Sequence, residues 1–230
     1  MASQASNHPL KHVCPHILSL LSKLHNQSAA QEAHLTWDDF EPGTVDEKMR
    51  DKFIAIEQDK AYFLYQMGLA TGAKTIVETG TSYGVSTIYL ALAVAANVEA
   101  TGGPGKVIAT EHEPAKARKA REHWNACGSS VHNLIELREG DVKATLKHEL
   151  GTVDMLLLDI WGPLLLPVLK LVQPALRPGA VIITDNTISA AEHCKELLDY
   201  MRAPESGFRS LTLPFNNGLE LSVYQPGNAQ

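Results

Sequence analysis

The stretch TIVETGTSYGVST, residues 75–87, governs how the whole 230-residue chain is interpreted. It begins with an apolar run typical of a buried parallel strand, reaches Glu78, and then turns through Gly80 and Gly84. An apolar, alanine-rich run with helical spacing follows over residues 85–96. A strand, a glycine turn and a helix in this order place free backbone N–H groups and the positive end of a helix at one point. Such a point suits an anionic or polar group of a cofactor.

The composition is that of an ordinary globular protein, with 44% hydrophobic and 20% charged residues. A net charge of −6 and the lack of a basic block argue against a nucleic-acid partner. Cys14, Cys127 and Cys194 are scattered, which argues against a disulfide framework or a zinc ribbon and fits a reducing compartment. No apolar run is long enough to span a membrane. We therefore expect a soluble, cytoplasmic protein.

Strands and helices alternate along the chain. The predicted strands are 75–77, 106–110, 133–137, 153–158, 180–184, 208–213 and 219–224, and the predicted helices are 15–26, 49–68, 85–96, 114–127, 167–176 and 189–201. Alternation implies a mostly parallel sheet with right-handed crossovers. The last two strands, joined by the turn Asn217-Gly218, imply an antiparallel strand near one edge. We predict a Rossmann-like α/β fold with seven strands and helices on both faces.

Residues 1–46 are predicted to form an N-terminal helical and irregular segment, and residues 47–230 the main domain. We expect residues 1–8 to be disordered. Residues 27–46 are polar and irregular, and could cover an active site or contact another subunit. The first helix carries an apolar stripe that could pair two chains into a homodimer. His8, His12 and His16 are four apart, so a helix would put them on one face, either as a metal site or as solvated side chains.

Polar residues follow five of the predicted strands, where ligands bind in open α/β sheets. These residues are Glu78, Gly80, Glu111, Gly140, Asp141, Asp159, Asp185 and Asn186. Glu111 can accept both hydrogen bonds of a ribose diol, or it can cap the helix that begins at Pro114. Asp141 can accept a hydrogen bond from an adenine amino group, or cap the next helix. His112 is expected near the adenine.

Asp159 and the pair Asp185-Asn186 end two neighbouring apolar strands, so their side chains can converge. Three hard oxygen ligands with room for water suit Mg²⁺. Asp and Asn are also favoured helix caps, and helices follow both positions. The spacing alone favours neither the metal site nor helix capping.

The glycine turn itself resembles a known pattern. The dinucleotide fingerprint requires a third glycine, and residue 82 is Ser, so a nicotinamide dehydrogenase is disfavoured. The arrangement E-x-G-x-x-x-G resembles the turn of class I S-adenosylmethionine-dependent methyltransferases, although a generic strand-to-helix connection would also fit. The resemblance implies that Glu78 lies near the methionine end of the cofactor. The other turn residues expected to bind the cofactor are Gly80, Thr81, Ser82 and Ser86.

Further motifs over residues 50–225 are similar to the catechol O-methyltransferase family. They are the apolar strand ending in Asp159-Ile-Trp161, the run GAVIITDNT at 179–187, the run ATEHEP around Glu111, and Asn217-Gly-Leu-Glu220. The resemblance implies Mg²⁺ held by Asp159, Asp185 and Asn186. It also implies that Asp159 and Trp161 lie near the cofactor, and that Glu220 approaches the substrate. Trp161 could wall the acceptor pocket, or pack in the core.

One position departs from the family pattern. The family continues Asp-x-Trp with a lysine that serves as general base, whereas this chain has Gly162. The metal alone could lower the pKa of the acceptor hydroxyl, or Lys60, Glu220 or an N-terminal histidine could act as base. Loss of methyl transfer is a further alternative.

From these patterns we predict an S-adenosylmethionine-dependent O-methyltransferase that uses Mg²⁺ and methylates a small catechol-like or phenolic acceptor. The competing hypotheses are a metal-independent methyltransferase acting on nitrogen or an isolated hydroxyl, and a cofactor-binding protein without transfer.

Overall fold

The computed structural model describes residues 8–35 and 48–227. Its strands are β1 Thr75–Thr79, β2 Lys106–Glu111, β3 Ile135–Glu139, β4 Val153–Leu158, β5 Leu176–Asp185, β6 Phe208–Leu213 and β7 Leu219–Tyr224. Its α-helices are α1 Pro15–Glu32, α2 Gln58–Ala70, α3 Val85–Thr101, α4 Pro114–Cys127, α5 Ser129–His132, α6 Val142–Thr145, α7 Gly162–Val172 and α8 Ala191–Arg202. A short 3₁₀ turn, Gln173–Ala175, joins α7 to β5.

The seven strands form one sheet in the order β3-β2-β1-β4-β5-β7-β6. β1 pairs in parallel with β2 on one side and with β4 on the other, and β5 pairs in parallel with β4. β7 is antiparallel to both β5 and β6. The mostly parallel sheet with an antiparallel strand near one edge is therefore confirmed. The chain order reverses between β1 and β4, and ligands bind at such a point in open α/β sheets.

Each face of the sheet packs against a separate apolar layer. On one side, α1, α2 and α3 pack against Ile76, Val107 and Met155. On the other side, α7 and α8 pack against the alternate residues Val77 and Leu156. Because neighbouring residues of a strand point to opposite faces, both layers need apolar side chains, which explains the continuous apolar run of β4. The helices lie on both faces, as predicted.

The N-terminal helix is longer than predicted and is part of the core. α1 extends to Glu32 rather than ending near residue 26, and it buries Ile17, Leu21 and Leu24 against the layer formed with α2 and α3. Residues 1–7, most of the segment expected to be disordered, lie outside the described residues, as do residues 36–47. The division of the chain at residue 46 stays a prediction.

The three histidines do not share a helical face, which corrects that expectation. His8 and His12 precede α1, because the helix begins at Pro15. The ring of His8 hydrogen-bonds the Tyr62 hydroxyl at 3.0 Å, and the ring of His16 contacts the Cys127 carbonyl oxygen at 3.3 Å. Within the described ranges, no cluster of three or more His, Cys, Asp or Glu side chains could hold a metal ion.

The helix predicted from residue 49 begins only at Gln58. In the segment before it, Ile54 has a positive φ of 39°, which a helix does not allow. Side chains of α1 bind this segment instead, because the Phe53 N–H donates to the Gln31 side chain and the Ala55 N–H donates to the Ser28 hydroxyl. The apolar spacing could not reveal this tertiary attachment.

Three other elements differ from the predicted bounds by four or five residues. α3 extends to Thr101 rather than residue 96, α7 spans Gly162–Val172 rather than 167–176, and β5 begins at Leu176 rather than residue 180.

Asn217 and Gly218 both have positive φ, 61° and 82°, as a tight turn before β7 requires. The three cysteines are free thiols. Across residues 8–35 and 48–227, no helix combines the length and apolar character needed to cross a membrane.

Candidate active site

The carboxyl ends of β1 and β4 meet at the reversal point, and Gly80 makes their close approach possible. The Asp159 N–H donates to the Thr79 carbonyl oxygen at 3.1 Å. Gly80 has a φ of 86°, and a Cβ added there would lie 2.8 Å from the Asp159 carbonyl carbon and closer still to its oxygen. The turn after β1 and the Asp159 segment therefore form one surface.

Glu78 is a buried carboxylate at the end of β1. Its Oε2 accepts hydrogen bonds from the hydroxyls of Thr81 at 2.8 Å and Thr87 at 2.5 Å. Its Oε1 is buried and has no donor in the described part of the chain. Burial raises the pKa of Glu78, while the hydroxyls of Ser86, Thr87 and Thr81 oppose that rise. A buried acceptor without a donor is costly, so this oxygen is suited to a positively charged ligand group.

Glu111 is fixed at the end of β2 by backbone donors. Its Oε2 accepts from the Ser82 N–H at 2.7 Å and its Oε1 accepts from the Glu113 N–H at 2.8 Å. Glu113, and not Glu111, is the N-cap residue of α4, and no side chain caps that helix. Each carboxylate oxygen has two lone pairs, so Glu111 retains capacity to accept a diol.

The end of β3 lies beside Glu111. The Gly140 N–H donates to the Glu111 carbonyl oxygen at 2.9 Å. Asp141 is exposed and caps α6, since its Oδ1 accepts from the Lys143 N–H at 2.9 Å. Asp141 therefore caps a helix, which is one of the two roles predicted for it. His112 is exposed next to Glu111.

Asp159, Asp185 and Asn186 follow the neighbouring strands β4 and β5, and none of them caps a helix. The N-cap residues of α7 and α8 are Trp161 and Ala190, and neither helix has a side-chain cap. No described residue donates a hydrogen bond to the carboxylate of Asp159. Burial and the charge of nearby Asp185 raise the pKa of Asp159 well above its ordinary value. The carboxylates of Asp159 and Asp185 thus affect each other's charge and, with the adjoining Asn186, make up an acidic cluster in which no residue caps a helix.

Lys60 forms an ion pair with Asp185 of this cluster. Its fully buried ammonium lies 2.6 Å from Asp185 Oδ1 and 2.8 Å from Glu57 Oε2. Burial alone would lower the pKa of Lys60, but the carboxylates of Asp185 and Glu57 outweigh burial and raise it. A protonated lysine cannot accept a proton. The role of general base suggested for Lys60 stays a prediction, and its ion pairs argue against it. Its charge instead offsets part of the negative charge of the cluster.

Gly162 begins α7, and the structure explains why this position has no side chain. A Cβ at Gly162 would lie 2.5 Å from both Cβ and the carbonyl oxygen of His193, in the first turn of α8. A lysine could therefore not be placed there unless the backbone of α8 moved. Trp161, next to it, is 42% exposed, so it is not a core residue.

Glu220 lies on β7 opposite Thr184. Its Oε1 accepts from the guanidinium of Arg202 at 2.7 Å and its Oε2 accepts from the Thr212 hydroxyl at 2.5 Å. Both oxygens therefore hold β7 to α8 and to β6. The catalytic role predicted for Glu220 stays a prediction, and these bonds argue against it.

A cavity of about 550 Å³ lies on another side of the glycine turn. It opens between α1 and α4, and its lining includes Phe53, Tyr83 and His123. The ring of Phe53 stacks on that of Tyr83, with centroids 4.4 Å apart. This cavity does not include the acidic cluster.

Two residues beside the turn were not predicted from the sequence. Thr87 binds Glu78 from the first turn of α3, and a hydroxyl residue directly after a glycine turn is a signal that could have identified it. Lys116 lies in the first turn of α4, and its ammonium is 5.9 Å from the centroid of the Tyr83 ring. Only the fold brings Lys116 to this place.

Comparison with known proteins shows which families this chain resembles. Residues 77–187 match the profile described as a methyltransferase domain. A catechol O-methyltransferase of Niastella koreensis is 31% identical over 142 residues, which cover 59% of this chain and 59% of that protein. A catechol O-methyltransferase of Mycobacterium tuberculosis is 29% identical over 136 residues, which cover 59% of this chain and 58% of that protein. The chain thus matches less than two thirds of the length of either relative.

A solved structure supports the fold. The O-methyltransferase of Bacillus cereus in complex with SAH superposes with a TM-score of 0.67 at 20% identity, covering 90% of this chain and 91% of that one. The profile match and the two relatives confirm the resemblance to class I S-adenosylmethionine-dependent O-methyltransferases, and the solved structure confirms the fold.

Proposed function

We propose that this chain is an S-adenosylmethionine-dependent O-methyltransferase acting on a small molecule. The observation that carries the proposal is the buried Oε1 of Glu78, which lacks a donor at the end of β1 beside the glycine turn. The curated relatives named above are catechol O-methyltransferases, which supports a catechol-like or phenolic acceptor.

The described residues fit the cofactor at both of its ends. Glu78 would hold the amino group of the methionine part, because that group supplies the donor its free oxygen lacks. Glu111, fixed by the N–H groups of Ser82 and Glu113, would accept from the ribose hydroxyls. The other residues proposed to line the cofactor are Gly80, Thr81, Ser86, His112, Gly140, Asp141, Asp159 and Trp161. When bound, the cofactor supplies a methyl group on a positively charged sulfur.

The donor set of the acidic cluster also fits Mg²⁺. Asp159, Asp185 and Asn186 would hold the ion, since they offer two carboxylates and one amide oxygen and cap no helix. When bound, the ion would lower the pKa of an acceptor hydroxyl and stabilise its oxyanion. Lys60 holds one oxygen of Asp185 in place and neutralises part of its charge. Exposed Trp161 would form a wall for a flat acceptor.

Removal of the metal tests the metal site and the acceptor together. We expect transfer of labelled methyl from S-adenosylmethionine to catechol in the presence of Mg²⁺, and a fall of at least about 100-fold after treatment with EDTA. Addition of excess Mg²⁺ should restore the rate. Full transfer in EDTA would contradict the metal role while leaving the O-methyltransferase proposal intact.

A metal-independent methyltransferase is the second candidate, and the Lys60–Asp185 ion pair favours it. The ammonium already supplies a positive charge to Asp185, and Gly162 leaves no lysine base next to Trp161. This candidate predicts transfer to nitrogen or to an isolated hydroxyl that EDTA does not affect. A protein that binds the cofactor and transfers its methyl group to neither class of acceptor would instead have lost the reaction.

Glu78→Gln is expected to weaken S-adenosylmethionine binding by about 10- to 100-fold, because a neutral amide cannot attract the amino group as a carboxylate does. Adenosine, which lacks the methionine part, should bind the variant and the wild type equally. Calorimetric titration with both ligands measures the two effects. Equal loss of affinity for both ligands would show that Glu78 does not contact the methionine end.

The affinity for S-adenosylmethionine should also depend on pH. Because burial raises the pKa of Glu78, the carboxylate takes up a proton at a higher pH than an exposed glutamate would. Binding of the positively charged amino group should therefore weaken as pH falls through that raised value. The Glu78→Gln variant should lack this dependence.

A further inference from the structure

The segment 53–55 is held in a strained conformation between α1 and the glycine turn. Ile54 has a φ of 39°, in the left-handed region that a β-branched residue rarely adopts. Such strain persists only where the surrounding contacts enforce it, and it is commonest at functional sites. The contacts that enforce it here come from two sides.

Two side chains of α1 hold the segment from one side. The Phe53 N–H donates to Gln31 Oε1 at 2.6 Å, and the Ala55 N–H donates to the Ser28 hydroxyl at 2.8 Å. This buried hydroxyl donates in turn to Glu32 Oε1, which leaves its lone pairs free to accept from Ala55. The backbone on both sides of the strained residue is thereby fixed to α1.

The glycine turn holds the segment from the other side. The Ser82 hydroxyl donates to the Phe53 carbonyl oxygen at 2.7 Å, and the Phe53 ring stacks on that of Tyr83 with 6° between the ring planes. Ser82 also lies in the left-handed region, with a φ of 49°. Its N–H donates to Glu111 Oε2 at 2.7 Å. One strained residue thus joins the segment to the carboxylate at the end of β2.

We propose that two side chains of α1, Gln31 and Ser28, position the glycine turn for the cofactor. α1 fixes the segment 53–55, this segment holds the hydroxyl of Ser82, and Ser82 directs its N–H to Glu111. The inference rests on the proposed function, in which the turn and Glu111 hold the cofactor. It assigns α1 a role in cofactor affinity in addition to its packing in the core.

The first test removes one acceptor from α1. Gln31→Met leaves the Phe53 N–H without an oxygen acceptor, whereas Gln31→Glu keeps one. Gln27→Met is the matched control, because Gln27 is exposed about one turn earlier on the same helix. We expect Gln31→Met to bind S-adenosylhomocysteine about 5-fold more weakly in a calorimetric titration, and the other two variants to bind it like the wild type.

Substitution of Ser82 separates positioning from a general structural role of α1. Ser82→Ala loses the bond to Phe53 but keeps a Cβ in the left-handed region, so we expect it to bind about 10-fold more weakly. Ser82→Gly also loses the bond, but glycine adopts a positive φ without strain, so it should bind within about 3-fold of the wild type. Because either substitution cuts the connection, adding Gln31→Met should cause no further loss.

A purely structural role of Gln31 would lower the affinity by the same factor whichever residue stands at position 82. That result, or wild-type affinity of Gln31→Met, would overturn the positioning role and leave cofactor binding intact. If Gln31→Met does not fold, Ser28→Ala provides the same comparison through the Ala55 N–H. Failure of the wild type to bind S-adenosylhomocysteine would overturn the proposed function as well.

Discussion

Gly80→Ala is expected to lower the free energy of unfolding by about 3–5 kcal/mol, since two costs add at this position. Gly80 has a φ of 86°, a conformation that strains any residue with a Cβ. The added methyl group would also lie against the carbonyl group of Asp159, which is backbone and cannot rotate away. Urea unfolding at constant pH measures the loss.

Gly72→Ala is the matched control for this substitution. Gly72 also has a positive φ, 61°, but nothing lies within 4 Å of an added Cβ there. We therefore expect only the backbone cost, about 1 kcal/mol. Equal losses for the two variants would show that the turn after β1 does not press against the Asp159 segment.

Lys60→Met should destabilise the protein by about 3–5 kcal/mol, because it leaves buried Asp185 without its ammonium partner. Lys195→Met provides a comparison, since Lys195 pairs with Asp199 on the surface, where the two side chains are 64% and 66% exposed. That variant should lose less than about 1 kcal/mol. Unfolding of both variants in urea gives the difference.

The loss in free energy of unfolding caused by Lys60→Met, the deficit, should depend on pH. Burial raises the pKa of Asp185, and the charge of Lys60 opposes the rise, so removal of Lys60 should raise it further. An acid with a raised pKa in the folded state takes up its proton at a higher pH than in the unfolded state, which favours folding as pH falls through that raised value. The deficit should therefore shrink as the pH falls through the raised pKa of Asp185. A deficit that does not change with pH would contradict the assignment of the loss to the Asp185 charge.

The sequence predicted the sheet well because its signals are local. The strands predicted at 153–158 and 219–224 match β4 and β7, and Glu78 lies at the end of β1 before the glycine turn, as predicted. The polar residues after the strands could be identified because parallel strands end at one edge of the sheet. None of these inferences requires knowledge of a distant contact.

The missed features all depend on long-range contacts. Lys60 and Asp185 are 125 residues apart, so no local pattern reveals that the two side chains form a buried ion pair. The segment around Ile54 is irregular because side chains of α1 accept hydrogen bonds from its backbone. Residue 162 has no room for a side chain because α8 packs against it.

Calorimetric titration of the protein with S-adenosylmethionine, repeated with Mg²⁺ and catechol, tests the central claim most directly. We expect cofactor binding with a Kd of about 1–100 μM, and catechol binding that requires the metal. Cofactor binding without metal-dependent catechol binding would favour the metal-independent candidate. Absence of any binding by S-adenosylmethionine or S-adenosylhomocysteine would contradict the role of Glu78 and the methyltransferase proposal itself.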